Sequence, residues 1–156
     1  MPIRRRYTLE ELSEMTALTK RTLRNYIQQG LLQGEKEHGK WYFTEEELAK
    51  FFSSEFVRQG LKIKHQTVAG DFLHGPFRIV PTGCFLYDLP GEQEEVLQVC
   101  GKVTELLNVG EAGEEQEKQE VRRFSFYYDE KRRVGSFALV GDLGLISKVV
   151  ELLQNV

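Results

Sequence analysis

Cysteine is scarce in this chain. Its 156 residues hold two, Cys84 and Cys100, spaced neither as a zinc pair nor as a redox pair. Histidine is nearly as scarce, with three. The soft metal candidates reduce to His65, His74, Cys84 and Cys100, and the two cysteines suit buried strand and helix positions. No apolar run reaches membrane length, and no signal-peptide pattern opens the chain, so the sequence predicts a soluble cytoplasmic protein with no membrane partner. There is no Ser/His/Asp or Cys/His constellation, no phosphate-cradling glycine loop and no acid pair at a strand end. The sequence therefore predicts no enzyme, no cofactor and no metal. Internal repeats and coiled-coil heptads are missing too.

Charge, by contrast, is plentiful and unevenly spread. The net charge is -3. Residues 1–64 carry 12 Lys/Arg and 9 Asp/Glu, a net +3, while the remainder carries 9 and 15, a net -6. An acidic protein with a basic end implies that the basic end meets a polyanion.

That basic end is built from short helices. After Arg4, Arg5 and Arg6 comes Thr8-x-x-Glu11, a capping box that opens a first helix with Leu9, Leu12 and Met15 on one side. Thr16, Ala17 and Leu18 form a tight turn. Thr19 caps a second helix running to about Gln29 and stopped by Gly30. Leu23 and Ile27 lie on its core side; Arg21, Arg24, Asn25 and Gln28 lie on the other, at steps of three and four. Residues 33–43 read as a hairpin ending in Trp41-Tyr42-Phe43. Thr44-x-x-Glu47 is a second capping box, opening a third helix through about Val57. Gly60 then breaks the pattern, and Leu61 to Leu73 gives a fourth, weaker helix.

A helix of this kind between two others fits a major groove. Arginine pairs with guanine edges in bidentate fashion, and asparagine does the same with adenine. The candidate DNA-binding residues are Thr19, Lys20, Arg21, Arg24, Asn25 and Tyr26 on the second helix. Lys36, His38 and Lys40 on the hairpin reach flanking phosphates or the minor groove, and Arg5 and Arg6, with Arg4, form an arm. Lys20 has the weakest claim, and Tyr26 is expected to be partly core with its hydroxyl outside.

These residues resemble the MerR family of winged-helix regulators. The matching positions are Tyr7-Thr8-Leu9, Leu12, Thr16, Thr19, Arg21-Thr22-Leu23-Arg24, Tyr26, Gly30-Leu31-Leu32, Gly39, and Thr44-Glu45-Glu46-Glu47-Leu48, with Gly60-Leu61 and Ile63 at the start of the family's fourth helix. The resemblance covers residues 6–73 and implies transcriptional regulation by a homodimer on a palindromic operator, with Arg21, Arg24 and Tyr26 as DNA contacts. The chain departs from the family pattern at three places. Asn25 stands where the family often has a tyrosine, Gly34 where it often has proline, and Trp41 at or beside the usual wing arginine. The family's long dimer helix is expected to be missing, because Gly70, Gly75 and Pro76 interrupt it.

Gly75-Pro76 marks a boundary, dividing a head at residues 1–74 from a second domain at 75–156. The second part reads β-α-β-β-α: an extended stretch at 79–88, an amphipathic helix from Glu94 to Val109, an acidic stretch from Glu111 to Glu120, strands at Val121–Tyr128 and Val134–Val140, and a helix at Leu143–Leu153. This order looks like a ferredoxin-like unit without its last strand, leaving an open edge that favours pairing between protomers. Phe124, Phe126, Tyr128 and Phe137 crowd one sheet face and read as an ordinary core. The fold class is thus α+β, a winged helix-turn-helix head plus a small C-terminal domain. The function expected is a dimeric, sequence-specific DNA-binding transcriptional regulator, its C-terminal domain serving dimerisation or sensing of an effector or protein partner. The alternative is an excision or architectural accessory factor whose C-terminal domain docks another protein.

Overall fold

The computed structural model describes residues 5–75, 80–109 and 122–156. Arg4 of the basic start, Pro76 of the boundary and the acidic stretch Glu111 to Glu120 lie outside them. The fold is α+β, with a helix-turn-helix head followed by a three-stranded sheet region.

The head begins with β1 (Arg6–Thr8), α1 (Leu9–Thr16) and α2 (Lys20–Gln28). Thr8 closes the capping box on α1. Its hydroxyl accepts from the Glu11 N–H at 3.1 Å, while the Glu11 carboxylate accepts from the Thr8 N–H at 3.3 Å. The turn into α2 depends on Ala17, held at φ 62°, and on Thr16. The buried Thr16 hydroxyl donates to the Leu12 carbonyl at 2.8 Å and accepts from the Leu18 N–H at 3.2 Å. β2 (Glu35–Glu37) and β3 (Lys40–Thr44) form the hairpin, joined by His38 and Gly39 at φ 52° and 79°. That pair of left-handed residues is what a two-residue hairpin turn requires. β1 adds itself to the other side of β3, giving the order β1-β3-β2.

α3 (Glu45–Ser53) and α4 (Glu55–His74) follow. The second capping box forms on α3, with Thr44 and Glu47 bonded reciprocally at 3.2 and 3.0 Å. Two expectations are corrected here. The third helix ends at Ser53, not near Val57, because Ser54 takes an extended backbone. Gly60 and Gly70 do not interrupt helix, and α4 runs unbroken for 20 residues. A helical glycine costs only about 1 kcal/mol relative to alanine, and burial of Val57, Leu61 and Val68 offsets that.

The second region holds β4 (Gly83–Pro90), α5 (Gln93–Val109), β5 (Arg123–Asp129), β6 (Val134–Gly141) and α6 (Leu143–Gln154). All its strand pairs are antiparallel, in the order β4-β6-β5. This is a split β-α-β arrangement without a fourth strand. α5 and α6 cover one face, where Val96 crowds Gly135 so closely that no side chain fits at Gly135, and Leu145 lies over Gly141. α4 covers the other face, with Val68 packed among Ala138 and Val140. Every residue of β6 after Val134 is buried.

The two regions share one core. Phe52 of α3 meets Phe126 of β5 edge to face, with ring centroids 5.5 Å apart. Gly101 of α5 is so close to β1 that an added Cβ would sit 2.4 Å from the Tyr7 hydroxyl oxygen. Phe124, Phe126, Tyr128 and Phe137 are all buried in this core. α4 ends at His74 and lies across the sheet of the second region.

Candidate nucleic-acid interface

The cap of α2 shapes the site. The Thr19 hydroxyl accepts from the Thr22 N–H at 3.1 Å and bonds the Thr22 hydroxyl at 3.0 Å. The helix ends at Gly30, φ 77°, where the Leu31 and Leu32 N–H groups both donate to the Tyr26 carbonyl. Between these ends only Leu23 is fully buried. It pins the helix to the core and turns the opposite face to solvent. Arg21, Arg24, Asn25 and Gln28 are exposed on that face. Among the described residues, neither Arg21 nor Arg24 has an ion-pair or hydrogen-bond partner.

The other candidates differ in setting. Lys20 is exposed but pairs with Glu10 at 3.3 Å. Tyr26 turns inward, its ring 5.8 Å from Phe51 and 6.2 Å from Phe56, with its hydroxyl beside Gly60. It fastens α2 to α3 and α4. Lys36, His38 and Lys40 are exposed on the hairpin, with the Lys36 ammonium 5.8 Å from the centre of the Trp41 ring. Phe43 is the fully buried aromatic of β3, stacked on half-buried Trp41.

Arg5 and Arg6 are engaged within the chain. Arg5 pairs with Glu11 at 2.6 Å and Glu105 at 2.8 Å, and donates to the Gly101 carbonyl at 3.0 Å. Its guanidinium also lies over the Tyr7 ring. Arg5 therefore ties β1 to α1 and α5. Arg6, a member of β1, pairs with Glu37 at 3.0 Å and covers the Tyr42 ring. The Glu37 bond raises its pKa further above an already high value.

Sequence reasoning missed Glu10. Its own backbone N–H at the start of α1 is the main reason its carboxyl sits below the ordinary value. Burial opposes this, and Lys20 and then Lys40 reinforce it. Glu10 thus ties the start of α1 to the start of α2 through Lys20. The signal was available: Glu10 lies two residues after the capping Thr8, in the acidic first turn of α1. Gly34 was also noted without a reason. A Cβ there would sit 2.5 Å from the Phe43 ring and 2.7 Å from the Tyr42 carbonyl oxygen, so a proline ring has no room.

Among the described residues no three His, Cys, Asp or Glu side chains gather as metal ligands, and no helix is long and apolar enough to cross a membrane. Burial raises the Cys100 thiol well above its usual value, which keeps it protonated and unreactive. An open cleft of about 550 Å³ lies where the α1–α2 turn meets the start of β5, lined by Glu10, Ser13, Glu14, Lys20, Arg122 and Phe124 among others.

Comparison with curated proteins and with solved structures gives no match. A family model does match part of the chain. Residues 6–55, from β1 through the start of α4, match the helix-turn-helix domain, and the chain therefore carries a helix-turn-helix head of the kind that DNA-binding regulators use.

Proposed function

We propose that the protein is a MerR-like, sequence-specific transcriptional regulator that binds double-stranded DNA as a homodimer in the cytoplasm, and that it is not an enzyme. α2 enters the major groove. Arg21, Arg24 and Asn25 read base edges, and Thr19 at the helix N-terminus seats a backbone phosphate. Lys36, His38 and Lys40 contact flanking backbone. Arg5 serves the fold, and Tyr26 positions the helix. The region after residue 75 serves dimerisation or sensing of an effector or protein partner.

One observation carries this reading: two guanidinium groups stand on the outer face of a capped helix without partners among the described residues. Two exposed guanidinium groups on one helix face add little to the fold, whereas a duplex supplies both phosphates and guanine edges. The departures at Asn25 and Gly34 fit as well. Asparagine on this face is an adenine reader, and glycine is what the Phe43 ring permits.

The test begins with selection of bound sequences from a random duplex pool, followed by titration. Arg24→Ala is expected to lower affinity for the selected site by about 1–3 kcal/mol and to relax the preference at one base position. Melting temperature should not change. Unaltered affinity and preference would remove Arg24 from the reading face.

A further inference from the structure

α1 carries three carboxylates, Glu10, Glu11 and Glu14, and they are not used alike. Glu11 closes the capping box and pairs with Arg5 at 2.6 Å. Glu14 pairs with Arg122 at 2.6 Å. Both pairs are largely shielded from water and fasten α1 to its neighbours. Glu10 differs. It meets Lys20 at 3.3 Å, and the two side chains are 64% and 46% exposed. An ion pair in that setting contributes little to stability. The fold does not need it, and it breaks at little cost.

Lys20 stands in an equally telling place. It is the first residue of α2, directly after the Thr19 cap. Arg21 follows, and the first turn of α2 holds no acidic residue. Two cations thus sit at the positive end of the helix dipole, an unfavourable arrangement within the protein itself. Glu10 is the anion that offsets it in the free molecule. A backbone phosphate seated at Thr19 would carry the same charge and approach the same ammonium. Phosphate and carboxylate on one ammonium repel each other, so docking exchanges one for the other.

We propose that Glu10 is a removable counter-ion of the reading helix: it holds Lys20 in the free protein and yields it to a DNA backbone phosphate when α2 docks. This rests on the DNA reading given under Proposed function and adds Lys20 to it as a conditional contact. Phosphates carry no sequence information, so Glu10 restrains binding to every duplex alike. A neutral side chain at position 10 leaves one more uncompensated cation for the duplex, and the slope of log affinity against log salt then steepens by about one. Arg21 and Arg24 work differently. Among the described residues no carboxylate holds them, so they meet the groove without an exchange.

The experiment is titration of the full chain with the selected duplex and with a random duplex of equal length, over a series of salt concentrations. The proteins are wild type, Glu10→Gln, Lys20→Gln, the double variant and Glu130→Gln. Glu130 is exposed in the turn after β5, at the opposite end of that strand from Arg123, and reports on net charge alone. Melting curves are taken for each, and titrations are run where all are folded. Glu10→Gln should bind both duplexes about three- to tenfold more tightly at low salt, with the steeper slope and an unchanged melt. The gain should shrink once Lys20 is replaced, and Glu130→Gln should not reproduce it. Unaltered affinity and slope in Glu10→Gln overturn the proposal, as does weaker binding. So does an equal gain in the absence of Lys20, which makes Glu10 a bare repulsive charge, or an equal gain from Glu130→Gln. Wild type that binds neither duplex defeats the DNA reading itself. Wild type that binds while Glu10→Gln changes nothing defeats the counter-ion and leaves that reading standing.

Discussion

α2 and β6 are elements of similar length with opposite surroundings. α2 buries Leu23 alone and leaves its cations in water. β6 is covered on both faces, by α4 on one and by α5 and α6 on the other, and Phe137 and Leu139 lie in the shared core. The cations of the head divide in the same manner. Arg5 is occupied by Glu11, Glu105 and Gly101, while Arg21 and Arg24 have no ion-pair or hydrogen-bond partner among the described residues. Composition does not distinguish a structural arginine from a reading one. What does is whether the protein itself supplies the carboxylate.

Substitution tests this contrast, starting from the buried side. Phe126 is fully buried between Phe52 of the head and Phe137 of the sheet. Phe126→Ala is expected to cost about 3–5 kcal/mol, and calorimetry should show head and sheet melting together. Two separated transitions would mean that the contact is incidental. On the exposed side, Arg24→Ala should give the reverse pattern described above, lower affinity with no change in melting. Between them lies Thr19→Ala, which removes a cap and should cost about 1 kcal/mol of stability while weakening DNA binding through one lost phosphate contact. A change in only one of the two readouts would show that cap and contact are separable.

The smallest expected effect concerns His65, half-buried on the side of α4 that faces β5. Its Nδ1 lies 2.8 Å from the Ser125 hydroxyl, and its ring meets Tyr127 edge-on. Burial holds its pKa below the ordinary value, with Asp88 and a backbone bond at Ser125 pulling the other way. The unfolded chain therefore binds this proton more readily than the folded one. Stability is complete above the unfolded value of about 6.5 and declines as pH falls from there toward the folded value. His65→Gln should flatten that decline in melting temperature, and an equal decline in the variant would assign the effect elsewhere.

Much of the head was legible because its signals are local. Both capping boxes, the Thr19 cap, the Gly30 stop and the hairpin over residues 33–43 are carried by residues close in sequence, and the chemistry is complete within each span. The strand pattern and aromatic face of the second region were equally local, since alternation along a strand needs no partner to be seen. β1 was hidden because its three residues become a strand only by pairing with Tyr42, Phe43 and Thr44. α4 was misjudged because the cost of its glycines is local and the burial that offsets it is not. The internal partners of Arg5 and Arg6 were hidden for the same reason: Glu105 and Glu37 are distant in sequence and adjacent only in space.

α4 has a mechanical consequence. It leaves the head just after the hairpin helix and then lies along the far sheet, an α-helical rod of about 30 Å rooted at both ends. A hinge needs a few residues free to change their backbone angles, and the twenty of this helix are bonded to one another. Tilting the reading face against the sheet thus requires prising a whole helix off Ala138 and Val140. The molecule is built to hold Arg21 and Arg24 at a fixed attitude to its sheet, so that on the proposed reading the frame decides spacing and angle before any base is touched.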